Sequence, residues 1–158
     1  MHELEPVPYL LTQMLAFVIQ LQGMIDAAAI LHWAHRPAPG SWSLTELLCH
    51  LRDVEQEVHQ PRFRELLAKE NAFIAGADPD RWAVERGYQQ QDGARALADF
   101  VAARQETVAF LHPLPEAIWQ RRGRHAFFGP TSMHELLHLA VKHDQAHWPQ
   151  LQAVITQP

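Results

Sequence analysis

The 158-residue chain holds a single cysteine, two tyrosines and seven glycines. One cysteine, Cys49, excludes an intrachain disulfide. No run reaches ~18 uninterrupted apolar residues, so no membrane-spanning helix is expected. The opening residues, Met1-His2-Glu3-Leu4-Glu5-Pro6, lack the basic start of a signal peptide. Together these predict a cytoplasmic location. Positive charge is also in short supply, with 13 basic against 18 acidic side chains and a formal charge of −5. A nucleic-acid binder needs a clustered basic face. The best run here, Arg121-Arg122-Gly123-Arg124-His125, is short and reads as a solvated loop. Neither nucleic acid nor membrane is therefore expected as a partner. Strand-like alternation is missing as well, apart from a suggestion of a short strand or hairpin at Trp82 and Tyr88.

What the chain does carry is helical periodicity. From about Pro8 to Trp33, apolar residues between Leu10 and Ile25 recur at helical spacing. Arg36-Pro37-Ala38-Pro39-Gly40 then breaks the pattern. A second segment follows Ser43, whose side chain forms a capping box with Glu46, and Leu44, Leu47, Leu48, Leu51, Val54 and Val58 make its stripe. Pro61 predicts a kink or split before the pattern resumes at Phe63, Leu66 and Leu67. A long connection, about Asn71 to Gln91, is expected to pack on the surface or carry function. The third helix spans about Asp92 to Leu111 and ends before Pro113 and Pro115. The fourth starts after Gly129-Pro130 with Thr131 as its expected cap and bends at Pro149. Four amphipathic segments, none able to hide its own apolar face, predict a single all-α four-helix-bundle domain over residues 1–158. A spare apolar face on such a bundle admits a homodimer.

Eleven histidines are many for this length. The fourth helix offers two i, i+4 pairs. His134-Glu135-Leu136-Leu137-His138 matches the H-E-x-x-H zinc pattern, and His143-Asp144-Gln145-Ala146-His147 is the other. With Met133 as zero and ~100° per residue, the apolar stripe lies within about 60° of the reference. His147 falls near its middle and His143 at its edge, whereas His134 and His138 fall at about 100° and 140°, toward solvent. The H-E-x-x-H reading also lacks a later glutamate, and Val141 stands where the extended motif needs glycine, although Asp144 occupies its third-ligand position.

Two inward imidazoles one turn apart need partners. Either hydrogen bonds satisfy both rings, or one metal ion satisfies them together. A third ligand must come from another helix, and His50, beside the stripe of Leu47, Leu51 and Val54, is the best candidate. By itself His50 reads better as a boundary histidine donating to a carbonyl. Cys49 points away from His50 and reads as a packed thiol. His59, just before Pro61, reads as surface. His32, His35, His112 and His125 lie at helix ends or in loops and receive no role.

The chain resembles the DinB-like superfamily of small bacterial four-helix proteins over nearly its whole length. The resemblance rests on Trp42-Ser43-Leu44-Thr45-Glu46-Leu47-Leu48-Cys49-His50-Leu51-Arg52-Asp53-Val54-Glu55. It extends through Gly129-Pro130-Thr131-Ser132-Met133-His134-Glu135 to His143-Asp144-Gln145-Ala146-His147. Asp78-Pro79-Asp80-Arg81-Trp82 and Phe100 to Thr107 add to it. It implies an up-down-down-up bundle and one zinc or nickel ion bound by His50, His143 and His147. Pro149 departs from the small residue usual at its position.

Three protein ligands leave a coordination position for water or substrate, as in catalytic zinc sites. Two enzyme classes follow: metal-dependent hydrolysis, and transfer of a low-molecular-weight thiol to a small-molecule electrophile. The resemblance implies the second for some relatives. Asp53, Glu57 and Asp144 are candidates to orient a ligand, with Asp144 the expected base because its wheel angle is inward; Trp42 or Trp148 would wall the pocket. A metal-binding stress or structural module without turnover is the alternative. Three imidazoles accept several metals, and affinity alone ranks copper highest.

Overall fold

The computed structural model describes residues 4–156. Helix α1, Val7–Ala27, leaves the helical path well before Trp33. The reason lies in the next element: the Trp33 carbonyl accepts from Thr45 N at 3.0 Å, which draws the connection onto the start of α2. Helix α2, Leu44–Val54, opens with the expected capping box of Ser43 and Glu46. Pro61 does not split it. Glu55–His59 form a π-turn, in which Gln60 N donates to Glu55 O, and α3, Gln60–Ala68, follows without a break. Pro61 sits in the first turn of α3, where its missing N–H is tolerated.

The long connection is not a hairpin. It contains β1 (Phe73–Ile74), a 3₁₀ turn (Pro79–Arg81), a helical turn α4 (Trp82–Glu85) and a second 3₁₀ turn (Tyr88–Gln90). Trp82 and Tyr88 each begin a turn rather than a strand. Arg86 lies 4.0 Å above the Trp82 ring within the connection. Tyr88 and Arg86 each donate to Asp53 at 2.6 Å, which ties the connection to α2. Helix α5, Gly93–Leu111, is capped by Asp92, and a short α6, Glu116–Trp119, follows.

The basic run is a strand, not a solvated loop. Strand β2, Arg122–His125, pairs in parallel with β1 and antiparallel with β3, Gly129–Ser132. Arg122 and Arg124 face solvent while Gly123 and His125 are buried. Gly123 is required there, because a Cβ would come 2.8 Å from the Ala72 carbonyl. Helix α7, Met133–Thr156, runs unbroken through Pro149. Its cap is Ser132 instead of Thr131: pairing with Gly123 keeps Thr131 extended, so Ser132 and Glu135 form the reciprocal cap.

The four long helices form a bundle in which α1 packs on α5 and α7, and the α2–α3 helix packs on the same two. Helix α1 is long and apolar enough to cross a bilayer by length and composition. In the bundle its Leu10, Met14, Val18 and Leu21 are core. Two apolar cores lie along the bundle. One gathers Phe17, Leu47, Leu51, Phe100 and Leu151, the other Leu10, Phe63, Val108, Leu137 and Val141. Between them the buried side chains turn polar: Glu55, His59 and Gln60, then Arg104 and Thr107, then Asp144.

Candidate metal centre

The proposed ligands come from two helices that pack together. His50 lies on the buried side of α2, 1% exposed, and His143 and His147 sit half-buried one turn apart on α7. One ring nitrogen from each lies within 4.8 Å of the others. His50 Nε2 is 3.0 Å from His143 Nε2, and the ring centroids are separated by 5.1, 4.7 and 4.6 Å. The expected trio therefore meets at one point.

Charge and burial suit these rings to metal ligation. Burial, then the nearby His147, pushes the His50 pKa down to about 3. Burial also pushes His143 far below the usual imidazole range, helped by His59, His147 and His50. Both rings are thus neutral near pH 7, the state in which imidazole offers a lone pair. His147 donates Nδ1–H to Gln150 Oε1 at 2.7 Å, which leaves Nε2 to face its neighbours. Trp42 stands beside them, 4.8 Å from the His50 ring and nearly parallel to His147 at 6.1 Å. A cleft of about 460 Å³ opens to the surface here, lined by Gly40, Ser41, Trp42, Asp80, His147 and Gln150. Trp42 is the wall; Trp148 packs on Phe17 at 5.5 Å.

The expected supporting carboxylates are engaged elsewhere. Asp53 takes Arg52, Arg86 and Tyr88, and Glu57 takes Arg86. Asp144 is inward and buried, but both its oxygens accept from Arg104, at 2.7 and 2.9 Å. Burial raises its pKa against the pull of that guanidinium. Cys49 is fully buried near Gln91, and burial raises its thiol to about 11. On the other face of α7, His134 donates to the Glu5 carbonyl at 2.7 Å, and neither it nor His138 joins the cluster.

One neighbour escaped the sequence reading. His59 is not on the surface: it is 6% exposed, with its ring 5.4 Å from that of His143. A clue was available. Val58 and Phe63 are both buried yet five apart, and His59 lies four before Phe63. A five-residue step between core positions marks a turn wider than α.

Fold and site together define a four-helix bundle with a three-imidazole cluster, spaced for a metal, beside an open cleft. The sequence profile of the DinB superfamily matches residues 26–151, and the chain belongs to that superfamily. Among solved structures, YfiT from Bacillus subtilis superposes with a TM-score of 0.81 at 17% identity, over 100% of this chain and 93% of that one. YfiT is described as a probable metal-dependent hydrolase with an unusual four-helix bundle topology. No curated protein matches the sequence.

Proposed function

We propose that this protein is a metal-dependent hydrolase of a small substrate, with His50, His143 and His147 holding one zinc or nickel ion. The observation that carries the reading is the convergence of three imidazole nitrogens within 4.8 Å of one another beside an open cleft. Three ligands with no fourth protein donor grouped with them among the described residues suit a catalytic rather than a structural site. An ion bound there supplies Lewis acidity near neutral pH. The chain's own groups do the rest. Gln150 holds the His147 ring, Trp42 limits water on one side, and Arg104, through Asp144, anchors the ligand-bearing stretch of α7. Asp144 is thus assigned to positioning, not to proton transfer.

Hydrolysis is favoured over thiol transfer because no lysine or arginine lines the cleft to hold an anionic thiol co-substrate. YfiT's description supports the same choice. Thr45 stands against Gly93, Gln60 bonds to Ala103 and Arg64 pairs with Glu106, a parallel run of the α2–α3 helix and α5 that supports an up-down-down-up order.

Metal analysis of the purified protein should give about one equivalent, and His143→Ala should lose it. A panel of 4-nitrophenyl esters, assayed with and without a small thiol, then separates the chemistries. Turnover only with thiol moves the reading to a transferase. Bound metal with no turnover in either assay moves it to a structural module, and full metal content in His143→Ala removes the site.

A further inference from the structure

We propose that His59 accepts the second N–H of His143 and so sets the angle at which that ring meets the metal. It is a positioning residue, and the inference rests on the three-histidine reading above. His143 directs Nε2 toward His50, so Nδ1 is the nitrogen left to carry a proton. A ligating histidine ordinarily hands that N–H to a carboxylate or carbonyl. Asp144 is held by Arg104 and Asp53 by Arg52, Arg86 and Tyr88, while Glu55 gives Oε2 to Arg104 and keeps a buried Oε1 without a partner among the described residues, on the same π-turn as His59. His59 is the ring that stands against His143. It stands 5.4 Å from His143, centroid to centroid, at 78°, and its buried Nε2 has no hydrogen-bond partner among the described residues. A neutral imidazole always has one nitrogen free to accept.

The backbone is built to bring it there. At ~100° per residue, the nine positions from His50 to His59 sum to ~900°, half a turn away from His50. The π-turn Glu55–His59 takes up one extra residue, worth ~100° of rotation. That carries His59 off the far side of the helix toward α7. Single π-turns inside α-helices occur frequently at functional sites.

The probe is cobalt(II), read by its visible absorption and by titration, with the thermal midpoint of the metal-free protein as a folding control. His59→Phe keeps an aromatic ring but has no acceptor, whereas His59→Gln keeps an acceptor. Phe should weaken cobalt binding by about 10- to 100-fold and shift the absorption bands, and Gln should stay within a few-fold of the parent. Equal binding by Phe and parent, or no advantage of Gln over Phe, overturns the proposal. The unaltered protein gives a second reading: in its zinc form, ring ¹⁵N spectra should show His59 Nε2 unprotonated and a slowly exchanging Nδ1–H on His143. A protonated His59 Nε2 also overturns it. Parent protein that binds no cobalt fails the three-histidine reading instead, and this inference with it.

Discussion

Arg104 holds Asp144 through two hydrogen bonds, 2.7 and 2.9 Å long, with both side chains buried. The same guanidinium reaches Glu55 on the π-turn and the Met14 carbonyl on α1. One side chain thereby joins all four bundle helices at the level of the histidines. It also lies 4.9 Å over the Phe100 ring, on the edge of one apolar core.

Removing that cation leaves two buried carboxylates facing each other. Arg104→Met should lower stability by ~3–5 kcal/mol in denaturant unfolding, because breaking a buried pair is far costlier than replacing it whole. Arg104→Met combined with Glu55→Gln and Asp144→Asn should recover much of the loss. A single variant within 1 kcal/mol of the parent, roughly the value of an exposed pair, would show that the network is not what aligns the helices.

Acid should unfold the metal-free protein early. Burial holds His50 at about 3 and His59 at about 4, both below the ordinary 6.5. In the unfolded chain these rings take protons near pH 6.5, while in the fold they resist. Their contribution is therefore complete above about pH 6.5 and is lost as pH falls toward 4, at up to ~1.4 kcal/mol per unit for each ring. Calorimetry should find a thermal midpoint steady from pH 8 to 7 and dropping steeply below 6. A midpoint unchanged between pH 7 and 4.5 would contradict this.

Metal removal gives a related test. An ion at 100 times its dissociation constant stabilises the fold by ~2.7 kcal/mol. Chelator should lower the thermal midpoint of the parent accordingly and leave His143→Ala unmoved. An equal response in both would place the bound ion elsewhere.

Gln150→Ala removes the 2.7 Å contact that fixes the His147 ring. Metal affinity should fall about 10-fold, a typical loss for a group that orients a ligand, with metal-free stability nearly unchanged because Gln150 is exposed. Affinity identical to the parent would mean that packing on Trp42 alone sets the ring.

The bundle and the inward pair His143 and His147 were legible because both rest on periodicity, whereas His50 was joined to them by the family resemblance. A wheel drawn on α7 separates His143 and His147 from His134 and His138, and the Ser43–Glu46 box marks the start of α2. What stayed hidden depends on distant pairing. Nothing near Arg122–His125 signals a strand, since its partners are two residues of β1 and the stretch before α7. That pairing is also what moved the cap from Thr131 to Ser132. Asp144 had the right wheel angle, but the angle cannot say that Arg104, forty residues away, already holds it. His59 was misread because α-helical arithmetic was carried through a stretch that is not α.

The π-turn has a wider effect on the molecule. Upstream of it Leu47, Leu48 and Leu51 belong to one core, and downstream Phe63 and Leu66 belong to the other. It therefore acts as a phase shifter between two halves of one rod, each cut to fit a different set of neighbours. Because the turn holds one residue more than α geometry needs, losing one from positions 55–59 would leave a plain α-helix joining the two halves in step, whereas gaining a further residue would turn one half against the other.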